Sequence, residues 1–405
     1  MILIVQGGEP TSLSVDKTMR PMRSVYLSEM LQRRNIKCGV IAPMFSHQSK
    51  FFRFGKKNLE ISDKNGIDYY LLKTPGYKGD HSIKRVFDHL IFGLKVFSKL
   101  IKIHFFVAKI DLVFSGYPHI ESSFFSGLFC KIFRIPIVLD IKDDWPQMFN
   151  YKQYKSIFKY KILYFYYLPF WFLIKKIIHS WVTISPEFQK LLIRKNPTLS
   201  NKKSFVAYLT SHAFLGGSEK TARKSFKNRI SLIFAGTYSK NVYDIMPLLE
   251  TLSKSKLKYE LNFYGKYEFL LPQIENFKSK NIKWSTHNWL PYDQLQEKYS
   301  VASFMMIPIE DRDDFNCSFP NKFIDAILSG IHPIIPDGTA MANFCRRADI
   351  GLIYSRSETS KLDDYEIKRI ASKKINPRDL MKNFPELSHL ENYDRLSSFL
   401  IRIIK

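Results

Sequence analysis

Two α/β domains, each built on a parallel sheet, are predicted for this chain, and three observations carry the prediction. Short β-branched runs alternate with helix-period stretches almost from end to end. A polar, lysine-rich segment without periodicity divides them into two sets. The length of 405 residues exceeds what one hydrophobic core serves. Alternation of this kind means parallel strands whose helical crossovers cover both faces.

The first set of strands is read at residues 2–6, 38–42, 69–73, 112–115, 135–141 and 181–184, with helices such as 22–34, 84–104 and 120–133 between them. Residues 196–229, with Gly216-Gly217, read as a linker that holds a further candidate strand at 205–209. The second set follows at 231–235, 260–264, 303–307, 332–335 and 351–354. Domains are therefore expected at 1–195 and 230–385, with a terminal helix at 386–405. The stretch SFPNKFIDAILSG, residues 318–330, reads as a complete helix: Ser318 as N-cap, Pro320 in the first turn, Gly330 as the stop. Phe323, Ile324, Ile327 and Leu328 fall on one side; Asn321, Lys322, Asp325 and Ser329 fall on the other. A lysine beside free backbone N–H groups suits a phosphate, and such an arc equally suits a wet surface.

Lys and Arg number 62 against 37 Asp and Glu, a net charge of +25. That balance favours a polyanionic partner: nucleic acid, an anionic membrane or a phosphorylated substrate. Residues 84–104 read as a basic amphipathic helix with Phe87, Leu90, Ile91, Leu94, Phe97 and Ile101 among Lys84, Arg85, Lys95 and Lys102, and a core-facing helix with its lysines in water is the equal alternative. Residues 152–176 carry six lysines, no acid and the run ILYFYYLPFWFLI. Lysines flanking Tyr and Trp match anchoring at a lipid headgroup boundary, and core packing is the rival reading. Nucleic acid is disfavoured, because the aromatics cluster with aliphatics instead of interleaving with arginine. The longest uncharged apolar run, 162–174, contains Pro169 and falls short of the ~20 residues a bilayer requires. Cys38, Cys130, Cys317 and Cys345 have no metal-ligand or CxxC spacing and suit a reducing compartment. The opening MILIVQGGEP reads as strand into turn, not as a signal peptide, so a cytoplasmic location is expected.

Candidate chemistry lies at strand ends. Gly7, Gly8 and Glu9 follow the first strand, but GxGxxG is absent and no acid closes the second strand, which excludes a nicotinamide-binding enzyme. Tyr117, His119 and Glu121 follow the strand at 112–115, and Asp140, Lys142, Asp143 and Asp144 follow or end the next. Carboxyl ends of strands open on the crevice where α/β sheets bind ligands, so these groups are candidates to orient a sugar or move a proton. Gly236, Thr237 and Lys240 follow the first strand of the second set, and Gly265 with Lys266 ends the next. With Asn321 and Lys322 they gather cations and open backbone donors at one sheet edge, which favours a diphosphate. No metal-ligand cluster is visible, and no cofactor is expected.

The order of these motifs resembles bacterial glycosyltransferases of family 4, closest to the O-antigen and capsule branch that includes fucosamine transferases. SGYPHIESS followed by IPIVLDIKDDWPQMF is similar to the branch's SYPxIE and DIRDLWPD segments, and PNKFIDAILSGIHPII resembles PNKxxEYLSAGLPIL. GEPTS near the start and FAGTYSK in the second half continue the match, which covers nearly the whole chain in order. The resemblance implies a GT-B fold, two facing Rossmann-like domains with a C-terminal helix crossing back. It implies a nucleotide-sugar donor on the second domain, with Asn321 and Lys322 near its diphosphate and Asp325 at its ribose. It also implies retaining transfer to a polyprenyl-diphosphate-linked saccharide at the inner membrane leaflet. Two positions depart from the pattern: Cys317 stands where the first of two glutamates is usual, and Tyr117 stands where a histidine is common. A nucleotide-sugar 2-epimerase and a non-catalytic membrane- or partner-binding relative are the alternatives.

Overall fold

The computed structural model describes residues 1–79, 82–151, 154, 157–210, 229–239, 241–357, 361–373 and 375–405. They divide into two compact units, Met1–Tyr208 with His389–Lys405, and Leu209–Ser388.

The first unit holds an eight-stranded sheet: β1 Ile2–Val5, β2 Cys38–Pro43, β3 Leu59–Ser62, β4 Asp68–Leu72, β5 Leu112–Tyr117, β6 Ile137–Ile141, β7 Ser180–Thr183 and β8 Lys203–Val206. Their order is β3-β4-β2-β1-β5-β6-β7-β8, parallel throughout except for β3 against β4. Strand β1 pairs with β2 through Ile2↔Cys38 and with β5 through Ile2↔Leu112, so the strand order reverses beside β1. Such a reversal is where open α/β sheets commonly bind a ligand. Residues 203–206, expected within the linker, extend this sheet by pairing Phe205 with Val182. Residues 211–228 of that linker lie outside the described residues.

Three helices cover one face of the sheet in contact order, Ile83–Phe106 on Ile120–Phe133 and Ile120–Phe133 on Phe158–Ile177. The expected terminal helix runs His389–Ile404 and returns to the first unit. It buries Tyr393, Leu396 and Leu400 in the first core beside Tyr26. At ~1.5–3 kcal/mol per buried large side chain, those three contribute roughly 6 kcal/mol before chain ordering is counted. Asn392 completes the seam by accepting from the Tyr208 N–H at 3.1 Å and donating to the Tyr208 carbonyl at 2.9 Å.

The second unit holds six parallel strands in the order β11-β10-β9-β12-β13-β14: β9 Ile230–Thr237, β10 Tyr259–Lys266, β11 Ile282–His287, β12 Phe304–Met306, β13 His332–Pro336 and β14 Leu352–Tyr354. Here the order reverses between β9 and β12. The helix expected at 318–330 runs Asn321–Leu328, with Phe323, Ile324, Ile327 and Leu328 buried. Pro320, not Ser318, occupies its N-cap; the Ser318 hydroxyl instead donates to the Phe315 carbonyl at 3.0 Å. Gly330, at φ +76°, turns the chain out of the helix as expected.

Candidate functional site

In the first unit the loops after β1 and β5 meet. His119 begins the Ile120–Phe133 helix, and its imidazole lies flat against Gly7: a Cβ on Gly7 would overlap the ring. At Gly8 a Cβ would stand 3.5 Å from His119 Nε2, an ordinary contact. On the other side, the His89 ring of the Ile83–Phe106 helix lies 4.0 Å away, centroid to centroid. Burial and the nearby cations hold both imidazoles well below their usual pKa, so His119 is neutral at pH 7. Arg85 Nε donates to His89 Nε2 at 3.5 Å, and His89 Nδ1 faces Glu121 Oε2 at 3.9 Å.

The other residues proposed for proton transfer are placed differently. Glu121 is fully buried, with the Tyr166 hydroxyl donating to it at 3.3 Å. Burial pushes its carboxyl up to about 7, against the opposing pull of Tyr166 and Arg85. Tyr117 is also core: its hydroxyl donates to the Trp145 carbonyl at 2.6 Å, and its ring packs 5.2 Å from Trp171. Burial, reinforced by Asp144 and Glu121, keeps the Tyr117 phenol protonated. Neither group presents an atom to a ligand. Asp143 is exposed at the end of β6, whereas Asp140 and Asp144 are buried in ion pairs with Arg23 and Lys195.

Glu9 anchors its loop. Its carboxylate pairs with Lys142 and accepts the Ser24 N–H at 2.9 Å, and Lys142 also reaches Asp140 Oδ2 at 3.3 Å. Burial alone would raise the Glu9 pKa, but Lys142 and Ser24 outweigh it and hold the carboxyl below its usual range. A carboxylate saturated by those partners supports the glycine loop and has little left for an acceptor.

The second unit gathers its candidates at the carboxyl ends of β9 and β10. Gly236 and Gly265 adopt φ of +114° and +121°, conformations that favour glycine. A Cβ at Gly265 would stand 2.5 Å from the Gly236 carbonyl, and one at Gly236 would stand 3.2 Å from Lys322 Nζ. The lysine ammonium therefore lies against the bare backbone at the carboxyl end of β9. Its Nζ donates to the Tyr243 hydroxyl at 2.6 Å and sits 4.5 Å from the Phe234 ring centroid. Asn321 Oδ1 beside it is buried and has no hydrogen-bond partner among the described residues. Thr237 is exposed at the rim, and Lys240 lies outside the described residues.

Asp325 departs from the wet face expected for it. It is buried at 4% exposure, and the Tyr292 hydroxyl donates to its carboxylate at 3.4 Å. Tyr243, Tyr292 and His89 were not singled out from the sequence. Their roles depend on partners 79, 33 and 30 residues away, the last being His119, and nothing local signals such contacts.

The fold has known counterparts. A sucrose-phosphate synthase from Thermosynechococcus elongatus is similar with a TM-score of 0.61, at 10% identity over 98% of this chain and 94% of that one. Anabaena HepE in complex with UDP-glucose gives 0.56, at 11% identity over 98% and 94%. UDP-GlcNAc 2-epimerase from Methanocaldococcus jannaschii gives 0.53, at 12% identity over 99% and 100%. No family model matches the chain, and no curated protein sequence does. At these identities the likeness concerns the fold, which is GT-B: two Rossmann-like units with a C-terminal helix returning to the first.

Proposed function

We propose that this chain is a retaining glycosyltransferase of the family 4 type, of the O-antigen and capsule branch. It moves a sugar from a UDP-linked donor to a polyprenyl-diphosphate-linked saccharide. The observation that carries the reading is the Gly236–Gly265–Lys322 cradle, where a cation lies against the bare end of β9 at Gly236, with Gly265 of β10 paired beside it, next to the start of the Asn321–Leu328 helix. Free N–H groups at a helix start and a lysine together suit a diphosphate. The binding of UDP-glucose by HepE, a protein of the same fold, supports UDP as the donor nucleotide.

During transfer the diphosphate gains negative charge as the glycosidic bond breaks, and Lys322 stabilises that charge in place. The acceptor oxygen attacks on the face the nucleotide leaves. Among the first-unit groups, neutral His119 over the Gly7–Gly8 loop is the candidate to hold a sugar hydroxyl, and exposed Asp143 is the remaining candidate for a proton. Asp325 takes the ribose hydroxyls. These assignments need no metal or cofactor.

Two rows of exposed apolar side chains support membrane docking. The Phe158–Ile177 helix exposes Phe158, Ile162, Phe165 and Phe172, while Tyr167, Trp171 and Ile174 face the core. The Ile83–Phe106 helix exposes Ile83, Phe87, Leu94 and Phe105. No helix among the described residues is long and apolar enough to cross a membrane, so attachment is interfacial, to an anionic cytoplasmic leaflet. An epimerase shares the fold, but its soluble substrate requires no such rows, and nucleic acid is disfavoured because the exposed phenylalanines stand among aliphatic side chains instead of interleaving with arginine. Membrane fractions incubated with labelled nucleotide-sugars test the reading. Label appearing in extractable lipid supports it, and interconversion of the free donor sugar without transfer overturns it.

A further inference from the structure

The Ile83–Phe106 helix carries a second row beside its apolar one. At ~100° per residue, Lys84, Lys95, Lys99 and Lys102 line up next to Ile83, Phe87, Leu94 and Phe105. Where the lysine row leans over β3 and β4, a cavity of about 310 Å³ opens, lined among others by Asn58, Tyr70, Leu72, Lys95, Lys99 and Lys102.

The charges in this cavity do not balance. Lys99 is committed, its ammonium paired with Glu60 and lying 4.5 Å from the centroid of the Tyr70 ring. Glu60 is the only carboxylate in the lining. Lys95 and Lys102 have no ion-pair partner among the described residues. Burial, with neighbouring Lys73 adding to it, pushes the Lys95 amino group below its usual pKa. Two unmatched ammonium groups with a third beside them make a site short of negative charge.

We propose that this cavity seats the phosphate headgroup of an anionic membrane phospholipid. The inference rests on the membrane docking proposed above and locates where that docking recognises charge. Charge complementarity supplies the phosphate, and the adjacent apolar row supplies the reason that the phosphate belongs to a lipid. With the exposed phenylalanines among acyl chains, the lysine row lies at headgroup depth, where lysine stems cover apolar surface and their ammonium groups meet phosphate. The cavity has the size of a small-ligand site.

Co-sedimentation with phosphatidylglycerol and phosphatidylcholine vesicles, using the full chain, tests this. Lys95→Gln/Lys102→Gln is compared with wild type and with Lys84→Gln/Lys161→Gln, which removes two exposed charges outside the cavity. At ~0.15 M salt each lysine near an anionic surface contributes about fivefold, so both variants lose up to about 30-fold on phosphatidylglycerol. At ~1 M salt the screening length falls to ~3 Å, and long-range attraction disappears while contact inside the cavity persists. Wild type and the Lys84/Lys161 variant are then expected still to prefer phosphatidylglycerol, and the Lys95/Lys102 variant to bind both vesicles equally. Equal behaviour of the two variants at high salt, or loss of the wild-type preference there, overturns the cavity. Failure of wild type to bind any vesicle overturns the membrane reading and the cavity with it.

Discussion

Replacing Glu121 by glutamine makes the first unit markedly more stable at pH 8 and only slightly more stable at pH 5. The carboxyl is fully buried, its Oε2 has no hydrogen-bond partner among the described residues, and the facing His89 imidazole is neutral. Arg85 favours its ionised form and Asp88 opposes it, and burial outweighs both, raising the carboxyl from 4.5 to about 7. The folded state therefore holds its proton more tightly than the unfolded chain does, and stability falls as pH rises. The contribution is whole below about pH 4.5, declines between 4.5 and 7, and is lost above about 7. At ~1.4 kcal/mol per pH unit, that span is worth about 3 kcal/mol. Glutamine keeps the shape without the proton, so this part of the pH dependence vanishes in Glu121→Gln. At ~2–4 °C per kcal/mol for a unit of this size, the variant's first-unit transition should lie about 6–12 °C above wild type at pH 8. Differential scanning calorimetry from pH 5 to pH 8 reads the difference directly. Parallel wild-type and variant curves would refute the burial argument, and a variant less stable at every pH would show that the carboxylate is solvated or paired.

Gly7→Ala drives a methyl group into the His119 ring, so it should cost about 1–3 kcal/mol in urea unfolding, whereas Gly8→Ala should cost under about 0.5 kcal/mol; equal costs would place the ring elsewhere. Phe165→Ser/Phe172→Ser, at residues 68% and 52% exposed, should leave the melting temperature near wild type and weaken salt-resistant vesicle binding. Trp171→Ser, at 1% exposure, should instead destabilise by about 3–5 kcal/mol, and a stable Trp171 variant that releases from lipid would reverse the assignment. Asp325→Asn should lower UDP affinity about tenfold with little change in melting temperature; the opposite pattern in calorimetry makes Asp325 a core residue.

The periodic elements were legible because burial and period coincide in them. Strand β1 reads as an apolar run since all four residues are buried, and the Asn321 helix reads from its buried stripe and its glycine stop. Strand β3 escaped because LEIS is an edge strand with alternating half-exposed and exposed residues and no run to find. Strand β11 escaped for a related reason: Lys283 and Trp284 stand exposed at its centre. In the Phe158–Ile177 helix nearly every position is apolar or aromatic, so sequence could not tell Trp171, which donates to Asn196 at 3.1 Å, from exposed Phe172. The carboxylates were visible as residues but not as partners. Arg23 neutralises Asp140 across 117 positions, and Lys142 reaches Glu9 across 133. Pairing of that range is fixed by sheet order, not by local pattern. Glu9 and Tyr117 thus read as site residues from their strand-end positions, although the groups around them hold them in structural roles.

Calorimetric titration of UDP into wild type and Lys322→Ala tests the donor cradle most directly. The Lys322 ammonium stands 3.2 Å from where a Gly236 side chain would begin, so no side chain at that position shields it. A charge-assisted hydrogen bond of ~1.5–3 kcal/mol corresponds to a loss of about 10- to 150-fold in affinity for the alanine variant, with its melting temperature retained. Equal UDP affinity in the two proteins, or no UDP binding by wild type, would contradict the assignment of this strand end and lysine to a nucleotide-sugar.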